Sequence, residues 1–122
     1  MAEHTLENSK EMVKLAVEAL ENTKAEDIEI LDISEVSSLG DYFIIAAGTN
    51  RNQVQALADN VQEKLGREGF FTKNVEGYDG ANWILLDFGD IIVHVFDSEN
   101  RIFYDLERIW RDGKVVETSD LK

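Results

Sequence analysis

At 122 residues, 43% of them hydrophobic, the chain fits one compact domain with a real core and is too short for two. It has no cysteine, which excludes a disulfide framework, a thiolate nucleophile and a zinc–thiolate site, and no apolar run approaches the ~20 residues of a membrane-spanning helix. Twenty-five acids against twelve bases leave a net charge of −13, so bare phosphate backbone repels the chain and a basic protein is the better partner.

The start, Met1-Ala2-Glu3-His4, has neither an apolar signal segment nor the Arg-rich character of a transit peptide, so a cytoplasmic address is expected. Leu6, Val13, Ala16, Val17 and Leu20 lie near helical spacing and predict a first helix over 5–20. A short strand over 28–33 follows, alternating Ile28 and Ile30 with Glu29, and 34–40 is expected to be a loop. The run over 42–47 is apolar on both faces and so predicts a central strand.

Gly48-Thr49-Asn50 ends that strand and opens a second helix, with Asn50 and Gln53 at capping-box spacing. Val54, Leu57, Ala58, Val61 and Leu65 form its apolar stripe, and Gly69 is its expected stop. A third strand over 70–75 leads through a Gly-containing loop into the hairpin of Trp83 to Phe96, where two apolar runs meet at Gly89-Asp90. Alternation sets Trp83, Leu85 and Asp87 on one side of the first run and Ile84, Leu86 and Phe88 on the other. On the second run Ile91, Val93 and Val95 lie opposite Ile92, His94 and Phe96. Ser98 as an N-cap, with Ile102, Tyr104, Leu106, Ile109 and Trp110, predicts a last helix. The whole describes an α/β (α+β) chain, a mixed sheet of about five strands flanked by helices.

Chemistry-bearing patterns are few. Asp27-Ile28-Glu29 has the spacing of two carboxylates that hold a divalent cation, but nothing upstream supplies a triphosphate-binding turn; a solvated strand edge explains it as well. Asp87-Phe88-Gly89 spells the kinase magnesium motif without a glycine-rich phosphate loop or a catalytic His-Arg-Asp, and Gly89-Asp90 is explained by the positive φ that a two-residue hairpin loop demands. His94 is a candidate base, oriented across the hairpin by Asp87 or Asp90, yet no nucleophile elbow accompanies it. A lone histidine on a strand face is more often structural. Gly48-Thr49-Asn50 resembles an anion-binding corner but lacks the glycine-rich pattern that makes one specific.

An interaction surface remains. Trp83 and Tyr104, with Leu106 and Trp110 nearby in sequence, have the composition of a protein hot spot, the plain alternative being that both tryptophans fill the core. From Glu76 to Glu107 there are eight acids and one base, Arg101, so 8 − 1 leaves a net −7 beside the hairpin, more than half the total excess.

Three segments carry a family resemblance: Gly40-Asp41-Tyr42-Phe43-Ile44-Ile45-Ala46-Ala47-Gly48-Thr49 with Arg51, Val54 and Ala58; Val75-Glu76-Gly77 with the whole run from Trp83 to Phe96; and Tyr104-Asp105-Leu106-Glu107-Arg108-Ile109-Trp110. Together they resemble the ribosomal silencing factor (Iojap-like) family, in order over about residues 5–111. The resemblance implies a nucleotidyltransferase-like fold without that active site, in a single domain over 1–122 whose core is about 5–111; the tail over 112–122 matches no motif and is expected to be flexible. It implies a translational repressor, not an enzyme, with no cofactor or metal. The expected partner is the large ribosomal subunit, bound through its fourteenth protein so that the small subunit cannot join. Trp83, Tyr104 and Leu106 match aromatic and apolar contact positions of the family, and Asp87, Asp90 and His94 match polar ones. Sequence-specific nucleic acid and membrane are not expected partners. A nucleotide-handling enzyme is the rival reading, and a homodimer of the free protein a third.

Overall fold

Seven consecutive residues, Tyr42–Gly48, are all buried. A strand with no polar side can only lie inside a sheet covered on both faces. The computed structural model describes residues 6–33, 41–97 and 114–115, the side chains of 6–8 and 114–115 apart. In chain order the elements are α1 (Leu6–Asn22), β1 (Glu26–Asp32), β2 (Tyr42–Gly48), α2 (Arg51–Arg67), β3 (Asn74–Glu76), β4 (Trp83–Asp87), β5 (Ile91–Asp97) and β6 (Lys114–Val115). The strands form one mixed sheet in the order β3-β4-β5-β2-β1-β6. Only β2 and β5 pair in parallel, from Tyr42↔Ile91 to Gly48↔Asp97; the other neighbours are antiparallel.

The expected mixed sheet is present, with two differences. Lys114–Val115 adds a sixth strand on β1, where a flexible tail without an assigned element was expected; two residues leave no periodic trace in a sequence. The third strand starts later than expected, at Asn74, because Phe70 is spent on the end of α2: its N–H donates to the Leu65 carbonyl while that of Gly69 donates to Gly66, closing a Schellman motif. The predicted last helix and Ser98 lie outside the described residues.

Both helices cover one sheet face. Met12, Val13, Ala16, Val17 and Leu20 of α1 and the whole predicted stripe of α2 join Ile30, Tyr42, Ile44, Ala46, Ile84, Leu86, Ile91, Val93 and Val95 in one core. The helix ends are tied by polar bonds. The Asn50 side chain accepts from the Gln53 N–H at 2.8 Å, and Gln53 Oε1 accepts in turn from Thr49 N and Oγ1. Gln53 Nε2 donates to the Thr23 and Lys24 carbonyls at the end of α1. The opposite face is smaller and of other chemistry: Leu31, Ile33, Phe43, Ile45, Ile92 and Phe96 are buried, with Trp83 and Leu85 packed against them.

Candidate functional site

The β4–β5 hairpin puts its residues where alternation predicted. Register pairs Trp83 with Phe96, Leu85 with His94 and Asp87 with Ile92, all on the second face. The hairpin closes through the Phe88 N–H on the Ile91 carbonyl, with Gly89 at φ +90° as the first loop residue. That conformation is costly for any residue with a Cβ, and Lys73 Nζ lies 2.8 Å from where one would stand. Asp87 serves the same turn: its Oδ1 accepts from the Gly89 N–H at 2.8 Å. Asp90 holds the base of the sheet, its carbonyl accepting from the Asp41 N–H at 2.7 Å. Both carboxylates are half-buried, and neither was needed to orient a histidine.

His94 is instead bonded to Trp83. The indole Nε1–H donates to His94 Nδ1 at 3.0 Å. Trp83 and Asp87 both lie diagonal to His94, on either side of its partner Leu85, but the Asp87 carboxylate is engaged by its own turn. Aromatic rings complete the enclosure: Phe43 at 4.7 Å and Phe96 at 6.2 Å from the imidazole, the latter stacked, and Trp83 at 5.4 Å from Phe96. His94 is only 3% exposed, and burial lowers its pKa from 6.5 to about 4. The Nδ1 bond works the same way, because protonating that nitrogen would set two donors against each other. His94 is therefore neutral at physiological pH. Trp83 is half-buried.

The loop leading into Trp83 is fastened to α2. Arg51 Nη2 donates to the Asp79 carbonyl at 2.6 Å, Gln55 Nε2 to the Tyr78 carbonyl at 3.0 Å, and the Tyr78 hydroxyl to Asp59 at 3.0 Å. The Asp59 bond raises the Tyr78 phenol above its ordinary pKa. Gly77, at φ +78°, lets the loop pass so close that a Cβ there would lie 2.1 Å from the Trp83 carbonyl. Sequence reasoning missed this bracing, as it missed Phe96 as the bed of Trp83 and Phe43 as a neighbour of His94. The bracing bonds reach backbone carbonyls far along the chain and leave no local pattern. The aromatic bed was visible in the alternation of the strands. Tyr104, Leu106 and Trp110 lie outside the described residues.

The other candidate sites take simpler shapes. Asp27 has φ +51° and the β1–β2 register shifts between Glu26 and Glu29, so the strict alternation that would align Asp27 with Glu29 is broken there. Among the described residues no cluster of three His, Cys, Asp or Glu side chains is arranged to hold a metal ion. The Gly48-Thr49-Asn50 corner is occupied by its own cap. A polar cleft of about 270 Å³ between α1 and α2 is lined by Asn22, Thr23, Asn60, Glu63, Lys64 and Arg67. Its cations are already engaged, Lys64 with Glu18 at 3.0 Å and Arg67 with Glu63. No described helix is long and apolar enough to cross a membrane. What the described residues offer is a surface built around a half-exposed tryptophan.

Residues 6–122 match the family model described as "ribosomal silencing factor during starvation". The chain is 39% identical over 110 residues to ribosomal silencing factor RsfS of Bacillus subtilis, covering 90% of this chain and 93% of that one. A crystal structure of a Chromobacterium violaceum protein superposes with a TM-score of 0.80 at 42% identity, covering 88% of this chain and 89% of that one. More distantly, the mouse "mitochondrial assembly of ribosomal large subunit protein 1" is 28% identical over 102 residues, 80% of this chain and 44% of that protein.

Proposed function

The chain belongs to the ribosomal silencing factor family, and from that premise we propose that it represses translation by occupying the large ribosomal subunit. It binds the subunit's fourteenth protein, on the face that meets the small subunit, and blocks subunit joining when nutrients are scarce. Steric occlusion needs no catalytic group, cofactor or metal, so the chain acts as a binding protein and not as an enzyme, in the cytoplasm where its target is.

The observation that carries this reading is the state of Trp83. Its ring is half-buried, seated on Phe96 and hydrogen-bonded to His94, so an aromatic surface is held ready at the end of a strand. Tryptophan leads the residues that dominate interface energetics, and a ring already immobilised loses little entropy on binding. Around it the segment from Glu76 to Glu107 has a net charge of −7, suited to steering a basic ribosomal protein. Tyr104 and Leu106 extend the apolar contact; Asp87 and Asp90 supply its polar rim. The family's name supports silencing, and the mouse relative's name supports the large subunit as the target.

Co-sedimentation with purified large subunits tests it. Trp83→Ala should weaken binding by about 2 kcal/mol or more, roughly 30-fold, with the fold intact, and should relieve inhibition in a subunit-joining assay. Affinity should fall as salt rises. A folded Trp83→Ala variant that co-sediments at the wild-type level removes Trp83 from the interface. Heat released on titrating ATP and magnesium would favour the enzymatic rival, and loss of a free dimer in the same variant would give the Trp83 face to self-association.

A further inference from the structure

Burying a histidine at position 94 is a costly way to fill space. In register it stands between Leu85 of β4 and Ile45 of β2, against the rings of Phe43 and Phe96. A leucine or phenylalanine would fit that setting without burying a polar ring. Nε2 is buried and has no hydrogen-bond partner among the described residues, a condition that folded proteins seldom carry without a reason. The other nitrogen has a defined task. An indole N–H can only donate, so Nδ1 must carry the lone pair and the proton resides on Nε2. Tilted packing on Phe96 supports the Trp83 ring, but it cannot choose between the two flips of an indole about its second side-chain torsion. The bond to Nδ1 can, because only one flip turns the N–H toward His94.

We infer that His94 is a positioning residue of the interface, whose Nδ1 holds the Trp83 indole in a single flip and so presents one fixed aromatic edge to the partner. This rests on Trp83 being the anchor for the large subunit. It also assigns His94 a place behind the contact surface, since a ring 3% exposed does not reach a partner directly.

The experiment pairs an indole signature with binding. The Trp83 indole N–H resonance, assigned by its disappearance in Trp83→Phe, is recorded in ¹H–¹⁵N spectra of wild type, His94→Leu and His94→Asn. Asparagine places a carbonyl oxygen near the position of Nδ1 and restores an acceptor. His94→Leu should move the resonance toward that of a free indole, speed its exchange with solvent and weaken large-subunit binding about 10-fold. His94→Asn should keep a bonded resonance and limit the loss to about threefold. Benzothienylalanine at position 83, an indole shape lacking the N–H, should lose affinity like His94→Leu, and His94→Leu should then add nothing. Should His94→Leu fail to fold by circular dichroism, the benzothienyl chain decides alone, with unchanged affinity overturning the inference. An unmoved resonance or unchanged affinity in folded His94→Leu overturns it, as does an asparagine variant as weak as the leucine one. Wild-type protein that does not bind large subunits overturns the functional reading and this inference with it, a result distinct from intact wild-type binding that ignores position 94.

Discussion

The two faces of the sheet solve different problems. Beneath α1 and α2 the strands contribute mainly isoleucine, leucine, valine and alanine, with Tyr42 and, just past β4, Phe88 as buried aromatics. On the other face the same strands contribute Phe43, Phe96, Trp83 and His94 among their aliphatic residues. Aliphatic side chains interdigitate without directional demands, so the first face can be optimised for burial alone. Aromatic rings and an imidazole have planes, edges and a hydrogen bond, so the second face fixes an orientation as well as excluding water. One face holds the fold, and the other aims a residue.

Substitutions on the two faces should therefore separate stability from binding. The largest effect is expected from Leu57→Ala, on α2 and fully buried in the aliphatic core. It should cost roughly 2–5 kcal/mol in urea unfolding, while the protein that remains folded binds large subunits as before. Matching losses of affinity would mean that the faces are not independent.

Next is acidity, which acts on the second face. His94 is neutral in the fold down to about pH 4, while the unfolded imidazole takes a proton near 6.5. Above 6.5 neither state is charged at this position and its contribution is fully present. As pH falls from 6.5 to 4 the unfolded chain gains a proton that the folded chain refuses, so stability declines, by up to about 3 kcal/mol, and levels off below 4. Carboxylates add slopes of their own, so the measurement is the difference between wild type and His94→Leu in unfolding series from pH 7 to 4. Parallel curves would remove His94 as the source.

The smallest effect in stability sharpens the contrast most. Phe96→Leu keeps an apolar residue beneath Trp83 but removes the ring it packs on, costing about 1 kcal/mol. Large-subunit affinity should nonetheless fall, the reverse of the Leu57→Ala pattern. A loss of stability without a loss of affinity would show that the floor beneath the indole is immaterial.

How far these faces could be read in advance follows from the kind of signal each leaves. The α2 stripe and the all-apolar Tyr42–Gly48 run were legible because burial on a helix or a central strand repeats with a fixed period. Alternation sorted each run of the hairpin onto two sides, and the pairing register then puts Trp83 and His94 on the same one. The bond between Trp83 and His94 left no signal in the sequence, because Trp83 and Asp87 stand equally diagonal to His94 and what removes Asp87 is the bond its carboxylate accepts from its own turn. The docking of Tyr78 and Asp79 on α2 was illegible for a related reason, as 19 to 28 residues separate the partners and most acceptors are backbone carbonyls. The exposed Phe71 explains the late start of β3, because an apolar residue 71% open to solvent breaks the inference from hydrophobicity to strand.

The parallel pairing of β2 with β5 has a kinetic consequence. These central neighbours, joined from Tyr42↔Ile91 to Gly48↔Asp97, are separated in the chain by α2, β3 and β4. The β1–β2 and β4–β5 pairs can form early from nearby segments, but the centre of the sheet must wait for a long loop to close. During synthesis, β2 emerges with its most apolar edge unpaired and stays so until Asp97 has been made. The middle of the sheet can thus close only after the segments on either side of it have been made.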